Sequence, residues 1–473
     1  FGTGLNFLLS WQLWRQLPAP RPRLHYLSIE KFPLRRADMQ KALASWPELA
    51  PLSRQLLICW PDLLPGQHRL ILEDGQLTLD LWWEDVGDAL PDLASHGPMI
   101  DAWYLDGFAP ARNESMWQPA LYHAMASLSR PGASFATFTA AGHVRRGLQE
   151  AGFKVEKVAG FGRKRECLRG TLARPGIDPG YRQTPWDLDQ SPHPPANSAL
   201  VIGAGLAGCT TAAALARRGI AVTLLDAGEL AGAASGNEQG ILYTRLSRRH
   251  SALTDFALQS FRFAAALYRQ MFASGALRRG EDGELCGSFQ LHANEDELAI
   301  LEERLATAPE LAAVLQADAA QARLGVRPPG AGYWYPGSGW LNPPALCRAL
   351  ARRPGITLLE NCGELSLGRE RGQWQALREG EALAEAPLAI VCTGVSAAGF
   401  PGLEWLPLQA IRGQTSHIPG HIESADLKAA FCHDGYIAPA RNGRHCIGAT
   451  FELRDSDTAL RGADHRHNLD KLA

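Results

Sequence analysis

The sequence predicts an α/β protein made of two Rossmann-like halves in series, and three observations carry that prediction. At 473 residues the chain exceeds what one ordinary hydrophobic core organises, so more than one domain is expected. Before residue 173, short apolar strands alternate with helical patterns, as in a mostly parallel sheet. After residue 198, a strand runs into Gly-x-Gly-x-x-Gly and then a helix, which opens a second such sheet.

The opening segment, residues 1–14, is apolar but has no basic n-region and no small-residue cleavage site, so it is expected to begin a buried helix. Strands are expected at 24–29, 56–59, 77–82, 102–105, 134–139 and 153–158. Residues 173–198 hold Pro175, Pro179, Pro185, Pro192, Pro194 and Pro195 in a polar stretch without periodicity, which reads as a linker. Beyond it come a strand at 199–202, a helix at 207–218 and a strand at 221–225. The domain boundaries expected are therefore 1–172, 173–198 and 199–473.

Composition narrows the class. Hydrophobic residues at 46% and charged residues at 20% fit a globular, water-soluble chain. A net charge of −2 supplies no global attraction to nucleic acid, so any such contact must come from local basic clusters. No uncharged apolar run reaches the length of a membrane span. The 9 cysteines are odd in number and never form Cys-x-x-Cys, which points to reduced thiols and a cytoplasmic location. No ligand cluster suggests a metal.

In the second half, Val201-Ile-Gly-Ala-Gly-Leu-Ala-Gly208 assigns Gly203 to the tight turn, Gly205 to close approach of a pyrophosphate and Gly208 to helix–strand packing. The positive end of the following helix faces the phosphates. Asp226 ends the next strand, where a carboxylate can accept both ribose hydroxyls. The motif alone does not separate FAD from NAD. Gly232-Ala-Ala-Ser-Gly-Asn-Glu-Gln-Gly240 and the strand leading to Thr393-Gly394 resemble the FAD-contacting segments of the D-amino-acid oxidase and glycine oxidase superfamily. That resemblance implies an FAD-binding Rossmann domain with an α+β substrate domain. It also implies that Ser235, Asn237, Gln239 and Gly240 approach the flavin and that Thr393 and Gly394 close over the dinucleotide. Arg412 is a candidate for a substrate carboxylate or the flavin edge, and equally for a surface arginine. Tyr436 either lines the pocket or belongs to the core.

In the first half, Phe1-Gly-Thr-Gly-Leu-Asn6 resembles the glycine loop of a class I (Rossmann-like) methyltransferase, with Gly2 and Gly4 at the tail of S-adenosylmethionine. Glu30 ends a strand where a carboxylate clasps ribose hydroxyls, and Asp85 follows another, where an acid meets the adenine amine. Asp106 lies at the carboxyl end of a central strand, where open α/β sheets bind ligands. It is the expected catalytic residue, able to orient an amine and accept its proton, the alternative being a turn residue before Gly107.

Together these segments, with Leu105-Asp-Gly-Phe-Ala-Pro110 and Gly160-Phe-Gly-Arg-Lys-Arg-Glu166, resemble the bifunctional tRNA 5-methylaminomethyl-2-thiouridine biosynthesis family, in the family's domain order. The resemblance implies that the FAD half removes the carboxymethyl group from 5-carboxymethylaminomethyl-uridine at the wobble position, releasing glyoxylate. The methyltransferase half would then methylate the exposed amine. It also implies contact of Arg163, Lys164 and Arg165 with an anticodon stem, although a solvated surface explains those charges as well. Relative to the family pattern the chain begins inside the methyl-donor loop and stops soon after Thr450, so both domains are expected to lack their outer segments. A flavin amine oxidase of small molecules with an inactive first half is the rival reading, against which the intact Glu30, Asp85 and Asp106 speak. A tRNA-binding scaffold with no activity is a third.

Overall fold

Two compact units emerge from the chain, and the computed structural model describes residues 1–94, 97–108, 110, 113–162, 164–174, 196–244, 246, 251–306 and 308–472 of it. The first unit comprises Phe1–Leu57, Leu63–Leu70 and Thr78–His193; the second comprises Ile58–Asp62, Ile71–Leu77 and Pro194–Ala473. Most of the proline-rich stretch, residues 175–195, lies outside the described residues.

The first unit begins with α1 (Leu5–Gln16), whose buried Phe7, Leu8, Trp11 and Trp14 fall on one face at helical spacing. Then come β1 (Leu24–Ile29), α2 (Arg36–Leu43), α3 (Ala50–Cys59), β2 (Gly66–Leu72), β3 (Leu77–Trp83) and α4 (Val86–Ala94). They are followed by β4 (Ile100–Leu105), α5 (Pro119–Leu128), β5 (Ser129–Thr137), α6 (Gly142–Glu150), β6 (Phe153–Ala159) and β7 (Glu166–Leu172). Its strands form a sheet of order β1-β3-β2 and a sheet of order β4-β5-β7-β6. β4 and β5 run parallel, as the alternating pattern predicts, while β7 is antiparallel to both β5 and β6.

Two expectations need correction. Residues 56–59 are the end of α3 rather than a strand: Leu52, Leu56 and Cys59 are buried at helical spacing, which a four-residue apolar run does not reveal. β2 was not expected, because His68 and Arg69 interrupt its apolar alternation. Arg69 has a partner, however. Asp80 on the middle strand β3 is only 1% exposed, and it accepts from Arg69 Nε at 2.8 Å and Nη2 at 2.6 Å and pairs with His25 Nε2 of β1 at 2.6 Å. All three strands are thus tied through one carboxylate.

In the second unit β8 (Ser198–Ile202), α7 (Leu206–Arg217) and β9 (Ala221–Leu225) form the strand–helix–strand unit, and β16 (Ile356–Leu359) and β20 (Leu388–Val391) complete an all-parallel sheet of order β16-β9-β8-β20. α7 buries Gly208, Cys209, Ala212 and Ala213, small residues that let α11 (Pro343–Ala351) pack closely through Leu346, Cys347 and Leu350. An antiparallel sheet β17 (Ser366–Glu370), β18 (Gln373–Arg378) and β19 (Glu381–Ala386) adds Ala376 and Ala386 to the core that holds Leu200, Ile202 and Leu225.

A seven-stranded sheet has the order β13-β14-β12-β23-β24-β25-β22. Its strands are β12 (Ser288–Leu291), β13 (Ala313–Leu315), β14 (Gly332–Tyr335), β22 (Ser416–Pro419), β23 (Ala430–Cys432), β24 (Tyr436–Ile437) and β25 (Arg444–Gly448). Helices α8 (Ala252–Ala273), α9 (Glu295–Leu305), α10 (Ala317–Leu324) and α12 (Gly462–Asp470) and the short strands β10 (Gly240–Leu242), β11 (Gly283–Glu284), β15 (Gly339–Leu341), β21 (Ile411–Arg412) and β26 (Glu452–Leu453) complete the unit. This is the parallel dinucleotide sheet with a separate α+β part that the sequence predicts. No helix among the described residues is long and apolar enough to cross a membrane.

The Asp80 cluster generates a prediction. Burial alone would raise the Asp80 pKa, but the bonds from Arg69 and His25 outweigh it and hold the group below the ordinary carboxylate value. A carboxylate depressed in the folded state stabilises fully above its unfolded pKa, and that stability is lost as pH falls below about 4 through the folded value. Asp80→Asn is expected to cost about 2 kcal/mol in urea unfolding at neutral pH. The cost should shrink as the wild type is acidified, and a variant with unchanged stability would show the cluster to be energetically idle.

Candidate functional site

In the first unit the structure gathers the end of β1, the end of β4 and the start of α1. Gly2 and Gly4 both have positive φ, 56° and 72°, a conformation glycine adopts without Cβ strain, and Gly4 caps α1. Glu30, one residue past β1, reaches back to this turn: its Oε2 accepts from the Gly2 N–H at 3.0 Å, while Oε1 accepts from the Phe32 N–H at 2.8 Å. Asp85, just past β3, accepts from the Gly87 N–H at 2.9 Å and from Lys31 Nζ at 2.9 Å. The Gly87 bond, followed by the lysine, holds its carboxyl below the usual range.

Asp106 follows β4 directly, and its Oδ2 accepts a 2.6 Å hydrogen bond from Asn6 Nδ2 in the first turn of α1. Nothing else among the described residues bonds this carboxylate, so Oδ1 remains available. The turn beneath it is fixed. A Cβ on Gly107 would overlap the Met116 thioether, and Trp117 Nε1 donates to the Phe108 carbonyl at 2.9 Å. Beside it, Tyr104 stacks on Tyr26 with ring centroids 6.0 Å apart, and its hydroxyl lies 3.1 Å from Ser10 Oγ. Burial, then the nearby Tyr104 and Asp106, push the Tyr26 hydroxyl pKa well up.

The glycine turn of the second unit is tight because backbone meets backbone there. A Cβ on Gly203 would sit 2.6 Å from the Cys392 carbonyl oxygen, one on Gly208 would overlap the Gly203 carbonyl, and one on Gly205 would be 2.9 Å from Ser235 Oγ. Asp226 closes the turn: Oδ2 accepts from the Ala204 N–H at 2.6 Å and Oδ1 from the Gly228 N–H at 2.9 Å. Ser235 Oγ accepts from the Leu206 N–H at 3.0 Å, at the first turn of α7. Thr393 and Gly394 follow β20, with the Thr393 methyl 3.4 Å from a Cβ position on Gly203. The Thr393 hydroxyl is buried with no partner among the described residues. Gly240 starts β10 and Gln239 precedes it: Gln239 Nε2 donates to the Pro439 carbonyl at 3.0 Å, and Asn237 Oδ1 accepts from Thr415 Oγ1 at 3.3 Å.

Other candidates lie elsewhere. Arg412 is buried rather than on the surface: Nη1 pairs with Asp464, and Nη2 donates to Gln414 Oε1 at 2.9 Å and to the Ala459 carbonyl at 2.7 Å. Tyr436 points its hydroxyl at Cys446 Sγ, 3.6 Å away, and burial pushes its pKa well up. Lys164 and Arg165 are exposed between β6 and β7, and Arg163 lies outside the described residues. Sequence reasoning missed Asn6, Tyr26, Tyr104 and Thr415. Asn6 was visible within the glycine loop, but its partner is 100 residues away.

These residues fit the two cofactors. The orphaned Thr393 hydroxyl and the Cβ-free cradle at Gly203, Gly205 and Gly208 suit the phosphate-bearing part of FAD, with the α7 N-terminus supplying N–H groups. Glu30 at the Gly2–Gly4 turn and Asp85, held by Lys31 and Gly87, suit the hydroxyls and amine of S-adenosylmethionine.

Comparison with known proteins agrees. Residues 47–173 match the family described as S-adenosyl-L-methionine-dependent methyltransferase, and residues 198–473 match the family described as FAD dependent oxidoreductase. Over 100% of this chain and 70% of its own length, the tRNA 5-methylaminomethyl-2-thiouridine biosynthesis bifunctional protein MnmC of Stutzerimonas stutzeri is 46% identical. The protein of the same name from Pseudomonas paraeruginosa is 44% identical over 100% of this chain and 70% of its own. That of Chromobacterium violaceum is 44% identical over 100% and 71%. The chain therefore belongs to the family of tRNA 5-methylaminomethyl-2-thiouridine biosynthesis bifunctional proteins, joining an S-adenosylmethionine-dependent methyltransferase to an FAD-dependent oxidoreductase.

Proposed function

We propose that this protein completes a modified wobble uridine of tRNA in two steps, oxidative removal of a carboxymethyl group followed by methylation of the amine so released. The observation that carries the reading is the match along the whole chain to relatives named for this biosynthesis, which agree with it in both halves. The chemistry supports the order, since the first step yields a primary amine and the second needs one as nucleophile. We place the methyltransferase at residues 1–172, the linker at 173–198 and the oxidoreductase at 199–473, and the protein in the cytoplasm.

Bound FAD would supply the two-electron acceptor for oxidation of the carbon next to the substrate nitrogen, after which water would divide the oxidised substrate into amine and glyoxylate. The chain's own part is to hold and shield. Gly203, Gly205 and Gly208 let the backbone approach the pyrophosphate, Ser235 and Thr393 offer hydroxyls, and Asn237, Gln239, Gly240 and Gly394 shape the loops around it. Asp226 keeps the turn closed through Ala204 and Gly228. Arg412 and Tyr436, facing Asp464 and Cys446, are proposed to brace β21 and β24 rather than to touch substrate.

Bound S-adenosylmethionine supplies the methyl group. Glu30 and Asp85 hold it, with Gly2 and Gly4 giving room for its tail. Asp106 orients the amine with Oδ1 and takes its proton, while Asn6 fixes the other oxygen. Lys164 and Arg165, with Arg163, meet the phosphates of the anticodon stem.

Incubation with tRNA carrying 5-carboxymethylaminomethyl-uridine, followed by nucleoside mass analysis, should show loss of the carboxymethyl group without methyl donor and methylation once the donor is added. Oxidation of free glycine with tRNA left unchanged would favour the small-molecule oxidase instead. Asp106→Asn should lower methyl transfer roughly 10²- to 10⁴-fold and accumulate the aminomethyl nucleoside, leaving the oxidative step intact. Gly205→Val should weaken flavin binding about tenfold or more, the effect of roughly 1.4 kcal/mol, read as visible flavin absorbance per protein. Wild-type flavin content in that variant would rule out the cradle.

A further inference from the structure

The side chain of Phe161 is 97% exposed at the turn between β6 and β7, an apolar ring held almost wholly in water. The turn that presents it is built, not frayed. The β6–β7 ladder runs up to the pair Ala159 and Glu166, the Gly160 N–H donates to the Arg165 carbonyl at 3.1 Å, and the Lys164 N–H donates to the Phe161 carbonyl at 3.2 Å. A Cβ on Gly160 would overlap the Lys164 carbonyl, and Gly162 takes a φ of 61°. Lys164 and Arg165, the next described residues of the turn, have no acidic partner among the described residues.

This turn is joined to the one that carries Asp106. The Lys164 ammonium lies 5.1 Å from the centre of the Phe138 ring, Phe138 packs edge-on against Trp117 at 6.4 Å, and Trp117 Nε1 holds the Phe108 carbonyl. Phe108, two residues past Asp106, is itself 63% exposed. An exposed aromatic ring flanked by cations without an acidic partner is the combination that binds single-stranded nucleic acid, where splayed bases stack on rings and cations meet the backbone. A hydrophobic protein partner would be better served by a contiguous apolar patch without free charge.

We infer that Phe161 is a stacking platform for an unpaired base flanking the target uridine, with Lys164 on a phosphate where the loop joins the anticodon stem, so that the β6–β7 turn presents the anticodon loop to the Asp106 site. The inference rests on the proposed tRNA reading and deepens it. The test measures methyl transfer to aminomethyl-uridine tRNA by the whole protein carrying Phe161→Ala, Phe161→Leu, Phe161→Trp or Lys164→Ala. Phe161→Ala and Phe161→Leu should each raise KM for tRNA about tenfold, with kcat and the affinity for S-adenosylmethionine unchanged. Phe161→Trp should restore the wild-type KM.

Salt separates the two contacts. Lys164→Ala should reduce the slope of log KM against log salt by about one, and Phe161→Ala should leave that slope as it is. A wild-type KM in Phe161→Ala, or in Phe161→Leu, overturns the inference, the latter because a leucine keeps the apolar surface and loses the ring. If the wild-type protein transfers no methyl group to this tRNA, the functional reading fails first, and the two failures are distinct.

Discussion

The second unit depends on a place where no side chain fits. Between the Gly203 turn, the Cys392 carbonyl and the start of α7, three glycines remove the atoms that would hold strand, helix and loop apart. Their absence lets Asp226 reach the Ala204 N–H and lets Ser235 reach the Leu206 N–H, so an anion-binding helix end is set directly against the parallel sheet. Alanine at Gly208 would press against the Gly203 carbonyl and force helix and strand apart.

Both halves use the same device with different residues. In each, an acid past a strand accepts from a backbone N–H of the glycine turn: Glu30 from Gly2 in the first unit, Asp226 from Ala204 in the second. The expectation for both acids was ribose recognition. The geometry shows each acid bonded to its glycine turn, and a carboxylate with four lone-pair sites has capacity for that bond and for others.

What the sequence disclosed follows from distance along the chain. The Gly203–Asp226 unit was legible because its strand, turn, helix and acid are consecutive. Asn6 and Asp106 were each in view, but a bond spanning 100 positions leaves no local trace. For Arg412 the surface alternative fails, and its burial was not legible because nothing in Ile-Arg-Gly-Gln-Thr points to Asp464 in a helix 52 positions on. Residues 56–59 and strand β2 were misjudged for a different reason: an apolar run too short to show its period, and a polar strand start, His68 and Arg69, where the Arg69 partner Asp80 is supplied only by tertiary structure.

The loop at 232–240 touches more than the glycine turn. Through Gln239 to the Pro439 carbonyl and through Asn237 to Thr415, it is bonded to chain beside β24 and β22 of the seven-stranded sheet. Any free energy by which the dinucleotide orders this loop is therefore shared with the register of that sheet, and thermodynamic reciprocity makes the sharing mutual. Damage to that sheet would register as a weaker hold on the flavin, and a tightly held flavin would act as a fold-stabilising ligand for its strands.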